Sequence, residues 1–326
     1  MARKIPERFR AIHRHRFLVA RPLRNHAAKH HRSCRRLRSR RPRLAPQEKR
    51  PRAIYLSGSL SLPTHLMDLI SDLLSPISAE PGGMTPHLPV FPNIKCLAFD
   101  LYGTLLISAA GGPSLDRESI LRDLLASEQL PEAPLIPILH ELIRDDQETS
   151  RQKNIEFPEV DILEIWERFF SSLSHPIPDL ARFALQYELL TNPVWPMPGA
   201  ENLPQHLPLA LISNAQFYTP LLLEKLLPLP FEDDLTFFSY QHRQAKPGTF
   251  LFEKLAESLS ARNISPSETL YIGNDHKKDV IPAQLIGFRS VLFAGDARSL
   301  RTSPDLPPPD AIITHLSQIN DLLPNS

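Results

Sequence analysis

The stretch FDLYGTL at residues 99–105 continues an apolar run, IKCLAF, that begins at residue 94. A run that is apolar at nearly every position predicts a strand buried on both faces, as in a parallel sheet covered by helices. Open α/β sheets place their functional sites just beyond the carboxyl ends of their strands. Asp100, the first charged residue after this run, is therefore the first candidate for a site residue.

Further apolar runs predict the rest of the sheet; they lie at residues 207–212, 235–238, 269–272, 290–293 and 311–314. Residues 107–193, by contrast, carry helical periodicity and no strand signal. The sequence therefore predicts an α/β fold with a Rossmann-like parallel sheet as its core, formed by residues 84–106 and 194–326. It also predicts an inserted, all-helical cap domain over residues 107–193.

Other polar residues stand at the ends of these predicted strands and beside the helices that follow them: Ser213, Asn214, Lys246, Asn274, Asp275 and Asp279. Lys246 is followed by a proline and by a predicted amphipathic helix over residues 248–262. The carboxyl ends of parallel strands meet at one edge of the sheet, so we expect these side chains to converge with Asp100 on one pocket.

The residue types in this set favour group transfer through a carboxylate. An aspartate is ionised at pH 7, so Asp100 needs no neighbouring base to act as a nucleophile. Lys246 can supply positive charge to an anionic substrate, and the hydroxyl groups of Thr104 and Ser213 can donate hydrogen bonds to it. Backbone amides in the loop after Asp100 can also hold anionic oxygens. The predicted ligand is a small anionic molecule.

A divalent cation is a further prediction. The carboxylates of Asp100, Asp275 and Asp279 would repel one another in one pocket unless a cation joined them. Mg²⁺ prefers oxygen ligands such as carboxylates, backbone carbonyls and water, and therefore suits this set.

Four segments together resemble the four motifs of the haloacid dehalogenase superfamily, in their usual order and approximate spacing: FDLYGTL at 99–105, Ser213-Asn214, Lys246-Pro247 and IGNDHKKD at 272–279. The resemblance covers roughly residues 94–325. It implies a covalent aspartyl intermediate on Asp100 and a substrate anion held by Ser213 and Lys246. It also implies that the backbone carbonyl of Tyr102 helps to bind the metal, together with Asp100, Asn274, Asp275 and Asp279.

Two positions depart from the phosphatases of that superfamily. Those enzymes usually have a second aspartate, the general acid and base, where this chain has Tyr102. They also have a metal-binding aspartate where this chain has Asn274, although Asp275 follows one residue later. Tyrosine in a DxYGTL sequence is shared with the 2-haloacid dehalogenases, which need no metal.

Other positions depart from those dehalogenases. They have a tyrosine six residues after the motif lysine, where this chain has Phe252, and a Trp-Arg pair in the cap that is absent here. Their fourth motif is rich in Ser and Asn rather than in Asp. The favoured interpretation is a Mg²⁺-dependent phosphatase of a small phosphorylated metabolite. The alternatives are a metal-independent hydrolase of the 2-haloacid dehalogenase type, and a weakly active or inactive binding protein of this fold.

The amino-terminal region differs sharply from the rest in charge. Residues 1–52 carry 16 Arg and 3 Lys against Glu7 and Glu48, while the whole chain has a net charge of +1. We interpret residues 1–83 as a disordered or spurious extension, with Met84 as the working start. The alternative is an arm that binds nucleic acid or anionic lipid through its arginines, and nucleic acid is not otherwise expected as a partner.

Cellular location and assembly are less well defined by the sequence. No apolar run approaches the roughly 18 residues that a membrane span needs, and no secretory signal follows the basic start. We therefore expect a soluble, cytoplasmic protein with no membrane partner. Cys34 and Cys96 form neither a disulfide framework nor a metal-binding pair, and Cys96 is expected in the core. The sequence does not define an oligomeric state.

Overall fold

The computed structural model describes residues 63–108, 116–128 and 135–324. The described helices are α1 (Thr64–Leu73), α2 (Arg117–Ser127), α3 (Leu135–Arg151), α4 (Ile162–Ser172), α5 (Leu180–Thr191), α6 (Thr219–Leu226), α7 (Ser239–His242), α8 (Phe250–Ala261) and α9 (Ile281–Ile286). The described strands are β1 (Cys96–Phe99), β2 (Leu106–Ser108), β3 (Val194–Pro196), β4 (Leu209–Ser213), β5 (Phe231–Phe238), β6 (Thr269–Gly273), β7 (Arg289–Phe293) and β8 (Ala311–Ile313).

Six of these strands form one parallel sheet in the order β5-β4-β1-β6-β7-β8. Each apolar run that predicted a strand lies in this sheet, and the prediction of an α/β fold with a Rossmann-like core is confirmed. Strand β1 shows why its run is continuous. Leu97 and Phe99 pack into one hydrophobic cluster, whereas Cys96 and Ala98 pack into another, so the strand is buried on both faces.

The order of the strands places β1 at the point where the chain changes direction across the sheet. After β1 the chain adds β4 and β5 on one side, and it then returns to add β6, β7 and β8 on the other. Such a switch point leaves a crevice beyond the carboxyl ends of the central strands. Asp100, directly after β1, therefore lies at the edge where a ligand site is expected.

Helices α2 to α5 form a helical insertion between two short strands, where the sequence predicts the cap domain. Strands β2 and β3 pair antiparallel, with Ile107 opposite Trp195, and were not predicted because each has only three residues. Asp116, Asp161 and Asp179 begin helices α2, α4 and α5 by accepting hydrogen bonds from backbone amides of the first turn.

The core of the helical insertion is an aromatic cluster. Trp166 is almost fully buried, and its ring centroid lies 5.3 Å from that of Phe169 and 5.1 Å from that of Phe183. Edge-on contacts of this kind add to the energy gained by burying the rings. The cluster holds α4 against α5.

Helix α1 corrects one prediction made from the sequence. It lies within the range 1–83 that was interpreted as an extension, yet Leu66, Leu69 and Ile70 are buried in the main hydrophobic cluster. The helix packs against α5 of the helical insertion and against α6 of the core. The prediction is therefore wrong for this helix, whose apolar residues recur at helical spacing. Residues 1–62, including the basic segment 1–52, lie outside the described part of the chain.

Candidate active site

Three predicted site residues meet beyond the carboxyl end of β1. The ammonium nitrogen of Lys246 lies 2.7 Å from Oδ1 of Asp100 and 2.6 Å from Oδ1 of Asp279. All three residues are buried. Asp100 follows β1, Lys246 follows β5 and Asp279 follows β6, so the sheet brings together residues far apart in sequence.

Asn214 fixes the backbone of Lys246 from the end of β4. Its Oδ1 accepts a hydrogen bond from the amide of Lys246 at 2.8 Å, and its Nδ2 donates to the carbonyl of Lys246 at 3.1 Å. Because both groups of the side-chain amide are used on one residue, Asn214 sets the position from which the lysine reaches Asp100.

Two carboxylates share the single charge of Lys246. Burial opposes the charge of the lysine, but the neighbouring carboxylates of Asp100 and Asp279 outweigh it and raise the pKa of Lys246 above its ordinary value. Burial also raises the pKa of Asp279; Lys246 opposes that shift and the charge of Asp100 adds to it. The causes differ: the two neighbouring anions raise the pKa of Lys246 against burial, whereas burial raises the pKa of Asp279 against the charge of Lys246.

Tyr271 is a member of this group that sequence reasoning missed. Its hydroxyl oxygen lies 3.2 Å from Nζ of Lys246, 3.2 Å from Oδ1 of Asp279 and 3.4 Å from the carbonyl oxygen of Ile212. The residue belongs to β6 and is fully buried. Its only signal in the sequence is a hydroxyl group within an otherwise apolar run.

The polar groups of the loop after β6 are largely hydrogen-bonded to other groups of the protein. Asn274 accepts a hydrogen bond from Thr104 at 3.1 Å and donates one to the carbonyl of Ser299 at 2.7 Å. Oδ1 of Asp275 accepts hydrogen bonds from the amides of Lys277 and Lys278. Oδ2 of Asp279 accepts one from the amide of Asp275 at 2.9 Å.

Gly273 is required for this arrangement. A Cβ atom at position 273 would lie 2.4 Å from Cγ of Asp279, far inside van der Waals contact. The absence of a side chain at the end of β6 therefore lets the carboxylate of Asp279 lie directly against the strand and reach Lys246.

The cavity beside Asp100 has a volume of about 250 Å³. Its lining contains seven of the nine predicted site residues: Asp100, Tyr102, Asn214, Lys246, Asn274, Asp275 and Asp279. Four further polar residues line it that sequence reasoning missed: Ser108, Lys278, Ser299 and Arg301. Lys278 lies within the last motif, whereas no sequence signal marks the other three.

Thr104 and Ser213 are fully buried and do not line this cavity. The hydroxyl of Thr104 is used on Asn274, and that of Ser213 lies 3.4 Å from the carbonyl oxygen of Asn214. Their roles in holding a substrate stay predictions.

The side chain of Tyr102 is tied to the core helix α6. Its hydroxyl group shares a hydrogen bond of 2.8 Å with Oγ1 of Thr219. Burial raises the pKa of Tyr102, the Thr219 hydrogen bond only partly opposing it, so the phenol stays protonated. The ring therefore forms a neutral part of the cavity wall.

The donor atoms of the site suit Mg²⁺ only in part. No group of three His, Cys, Asp or Glu side chains among residues 63–108, 116–128 and 135–324 could hold a metal ion. Asp275 and Asp279 use carboxylate oxygens within the protein, as described above. Asp100 and the backbone carbonyl of Tyr102 remain as oxygen donors of the type that Mg²⁺ prefers. The amide oxygen of Asn274 already accepts a hydrogen bond from Thr104 and can offer only its second lone pair. The partly compensated charge beside Lys246 also favours a cation.

Comparisons with known proteins identify the fold. No protein-family model matches the chain, and no curated protein matches it. The crystal structure of a 2-haloacid dehalogenase from Pseudomonas syringae pv. tomato DC3000 matches with a TM-score of 0.51 and 21% identity, over 70% of this chain and 97% of that one. The chain therefore has the fold of the haloacid dehalogenase superfamily, as its motifs suggested. At this identity the match shows the fold alone.

Two further structures of that superfamily match less closely. A phosphatase from Thermococcus onnurineus has a TM-score of 0.40 at 17% identity, over 70% of this chain and 96% of that one. An L-2-haloacid dehalogenase from Xanthobacter autotrophicus, with chloropropionic acid covalently bound, has a TM-score of 0.43 at 19% identity, over 69% and 96%. No described helix has the length and apolar character of a membrane span.

Proposed function

We propose that this protein is a hydrolase that acts on a small phosphorylated metabolite through a covalent intermediate on Asp100. The observation that carries the proposal is the contact between the carboxylate of Asp100 and the buried ammonium group of Lys246, at the wall of a polar cavity. The positive charge of Lys246 lies directly against the carboxylate of Asp100 and fixes its orientation for attack.

The reaction proceeds in two steps. Lys246 engages Oδ1 of Asp100, which leaves Oδ2 to attack the phosphorus atom of the substrate. A bond forms between Oδ2 and phosphorus as the bond to the leaving oxygen breaks, and that oxygen takes a proton from water. Water then attacks the phosphorus of the aspartyl phosphate, which releases inorganic phosphate and restores the carboxylate.

The lining of the cavity supports an anionic substrate. Lys278 and Arg301 add two cationic side chains to that of Lys246. Both are exposed, so they lie toward solvent while Lys246 lies at the bottom of the site. Positive charge at the entrance attracts an anion, and a volume of about 250 Å³ favours a small one.

Asp100, the carbonyl of Tyr102 and Asn274 would hold Mg²⁺ in this proposal. When bound, the ion would supply positive charge that offsets the negative charge of the phosphoryl group beside the attacking carboxylate. The protein itself supplies the nucleophile, the lysine that holds it and the cationic entrance.

A second candidate is metal-independent hydrolysis of a 2-haloacid. The observation that favours it is Asn274, an amide that uses both its oxygen and its nitrogen within the protein. Here Oδ2 of Asp100 attacks the halogen-bearing carbon, and the halide leaves with the bonding electron pair. Water then cleaves the resulting ester at the carboxyl carbon of Asp100.

The two candidates differ in substrate, metal requirement and fate of the water oxygen. We expect hydrolysis of p-nitrophenyl phosphate with Mg²⁺ and its loss in a chelator. Turnover in water labelled with ¹⁸O should place the label in inorganic phosphate. Metal-independent turnover of 2-chloropropionate, with ¹⁸O in Asp100, would establish the second candidate instead. Turnover of neither substrate would leave only a binding protein of this fold.

A further inference from the structure

The loop at residues 296–301 builds one wall of the proposed active site. Ser299 and Arg301 line the cavity. The carbonyl of Ser299 accepts a hydrogen bond from Asn274 at 2.7 Å, and its hydroxyl group donates to the carbonyl of Gly103 at 3.2 Å. The amide of Arg301 donates to the carbonyl of Asn274 at 3.0 Å. The loop therefore touches both the turn after Asp100 and the turn after β6.

The packing against Gly103 is close. A Cβ atom at position 103 would lie 2.7 Å from Cβ of Ser299, so the loop approaches the backbone of the turn directly. Gly103 also has a φ of 88°, a conformation that glycine adopts without strain. A shift of the loop would consequently disturb the turn that carries Asp100 and Tyr102.

The first half of this loop is tied to residues 78–80, which precede the sheet by many residues. Oδ1 of Asp296 accepts a hydrogen bond from the amide of Glu80 at 2.9 Å, and the amide of Ala297 donates to the carbonyl of Glu80 at 2.6 Å. Arg298 donates through Nη2 to the carbonyl of Ser78 at 2.6 Å.

Within the loop, Nε of Arg298 lies 3.1 Å from Oδ1 of Asp296. Asp296 is 1% exposed and the side chain of Arg298 is 16% exposed. A buried carboxylate that binds both a backbone amide and a guanidinium group holds its position firmly. Loss of either contact would leave a charged group or a hydrogen-bond donor unpaired.

We propose that residues 78–80 are part of the support of the active site, and that Asp296 and Arg298 are positioning residues through which this segment holds the 296–301 loop. The segment lies upstream of Met84, so a chain that began at Met84 would lack this support. The inference rests on the proposed function only in that the cavity is taken as the substrate site.

The test uses the full chain and three variants. Arg298→Ala removes the bonds to Ser78 and Asp296, whereas Arg298→Lys keeps the charge. Arg289→Ala is the matched control, because Arg289 lies at the opposite end of β7 and its contact with Asp310 is at 4.0 Å. We expect backbone amides of residues 296–301 to exchange hydrogen about tenfold faster in Arg298→Ala than in the parent protein, since two charge-assisted hydrogen bonds are lost.

Kinetics supply the second measurement. KM for p-nitrophenyl phosphate should rise about tenfold in Arg298→Ala, with a smaller change in kcat, because the loop contributes lining residues rather than the nucleophile. Arg298→Lys should recover part of both effects, and Arg289→Ala should show neither. Unchanged exchange at residues 296–301 would overturn the proposal, as would faster exchange spread evenly over the chain. If the parent protein hydrolyses no phosphate ester, the proposed function fails. The hydrogen-exchange comparison still tests whether residues 78–80 hold the 296–301 loop.

Discussion

Nζ of Lys246 lies 2.7 Å from Oδ1 of Asp100, and the two side chains are 2% and 10% exposed. An ammonium group buried to this extent needs anionic partners, and Asp279 supplies the second one. In the proposed mechanism the lysine therefore has two roles, since it compensates buried negative charge and positions Asp100 for attack.

Replacement of Lys246 by methionine should expose this double role. The variant leaves the carboxylates of Asp100 and Asp279 buried without their cation, so we expect a loss of about 3 kcal/mol in the free energy of unfolding and loss of activity. Urea unfolding followed by circular dichroism measures the first effect. Lys254→Met is the control, because Lys254 pairs with Glu257 on an exposed helix surface and should change stability by less than about 0.5 kcal/mol. Equal effects of the two substitutions would contradict the account.

Tyr271→Phe should lower activity with little change in stability. The substitution removes only the hydroxyl group that contacts Lys246 and Asp279, and a single hydrogen bond contributes about 1 kcal/mol net. We expect kcat to fall about tenfold, because the lysine loses one of the contacts that hold it toward Asp100. Tyr240→Phe provides the comparison, since its hydroxyl makes one long contact of 3.5 Å with Gln241. A Tyr271→Phe variant with parental kcat would show that the hydroxyl has no positioning role.

Helix α1 should contribute measurably to stability. Ile70 is fully buried in the main hydrophobic cluster, so Ile70→Ala is expected to lower the free energy of unfolding by about 2–5 kcal/mol. Asp68→Ala, on the exposed side of the same helix, should be close to neutral. If Ile70→Ala were as stable as the parent protein, the helix would not be packed on the core in solution.

Glu159 should make stability depend on pH. Burial raises the pKa of this carboxyl from the ordinary value of 4.5, and the hydrogen bonds from Ser239 and Val160 only partly oppose the shift. The folded state then binds the proton more tightly than the unfolded chain, so this stabilising contribution is complete below pH 4.5 and is lost as the pH rises through the folded pKa. Glu159→Gln should flatten this part of the stability curve, measured by chemical unfolding at a series of pH values. If the stability curve of Glu159→Gln were identical to that of the parent protein, the pH dependence of stability would arise from other groups.

The strands and most of the site could be predicted because both leave local signals. The continuous run before Asp100 predicts β1, and the polar residues after each later run predict which side chains meet there. Lys246 was identified in this way although it lies far from Asp100 in sequence. Because the strands are parallel, all of their carboxyl ends lie at the same edge of the sheet, and the residues that follow them meet there.

The residues that were missed act through contacts that no local pattern carries. Tyr271 reads as one more residue of a buried strand, and its hydroxyl becomes informative only when Lys246 and Asp279 are placed beside it. Ser299 and Arg301 lie in an irregular loop after β7 and reach the cavity through long-range hydrogen bonds. Helix α1 was not predicted because its apolar stripe is short and follows a strongly basic segment, and the whole range was interpreted as an extension.

The most direct test of the central claim is detection of the intermediate on Asp100. The full chain is mixed with p-nitrophenyl phosphate carrying ³²P, quenched in acid within one turnover and digested, and the peptide that contains Asp100 is isolated. The account predicts that this peptide carries the phosphoryl group, and that Asp100→Asn yields no labelled peptide and at least about a 10³-fold loss of turnover. Full turnover by Asp100→Asn, with no label on the parental peptide, would contradict it.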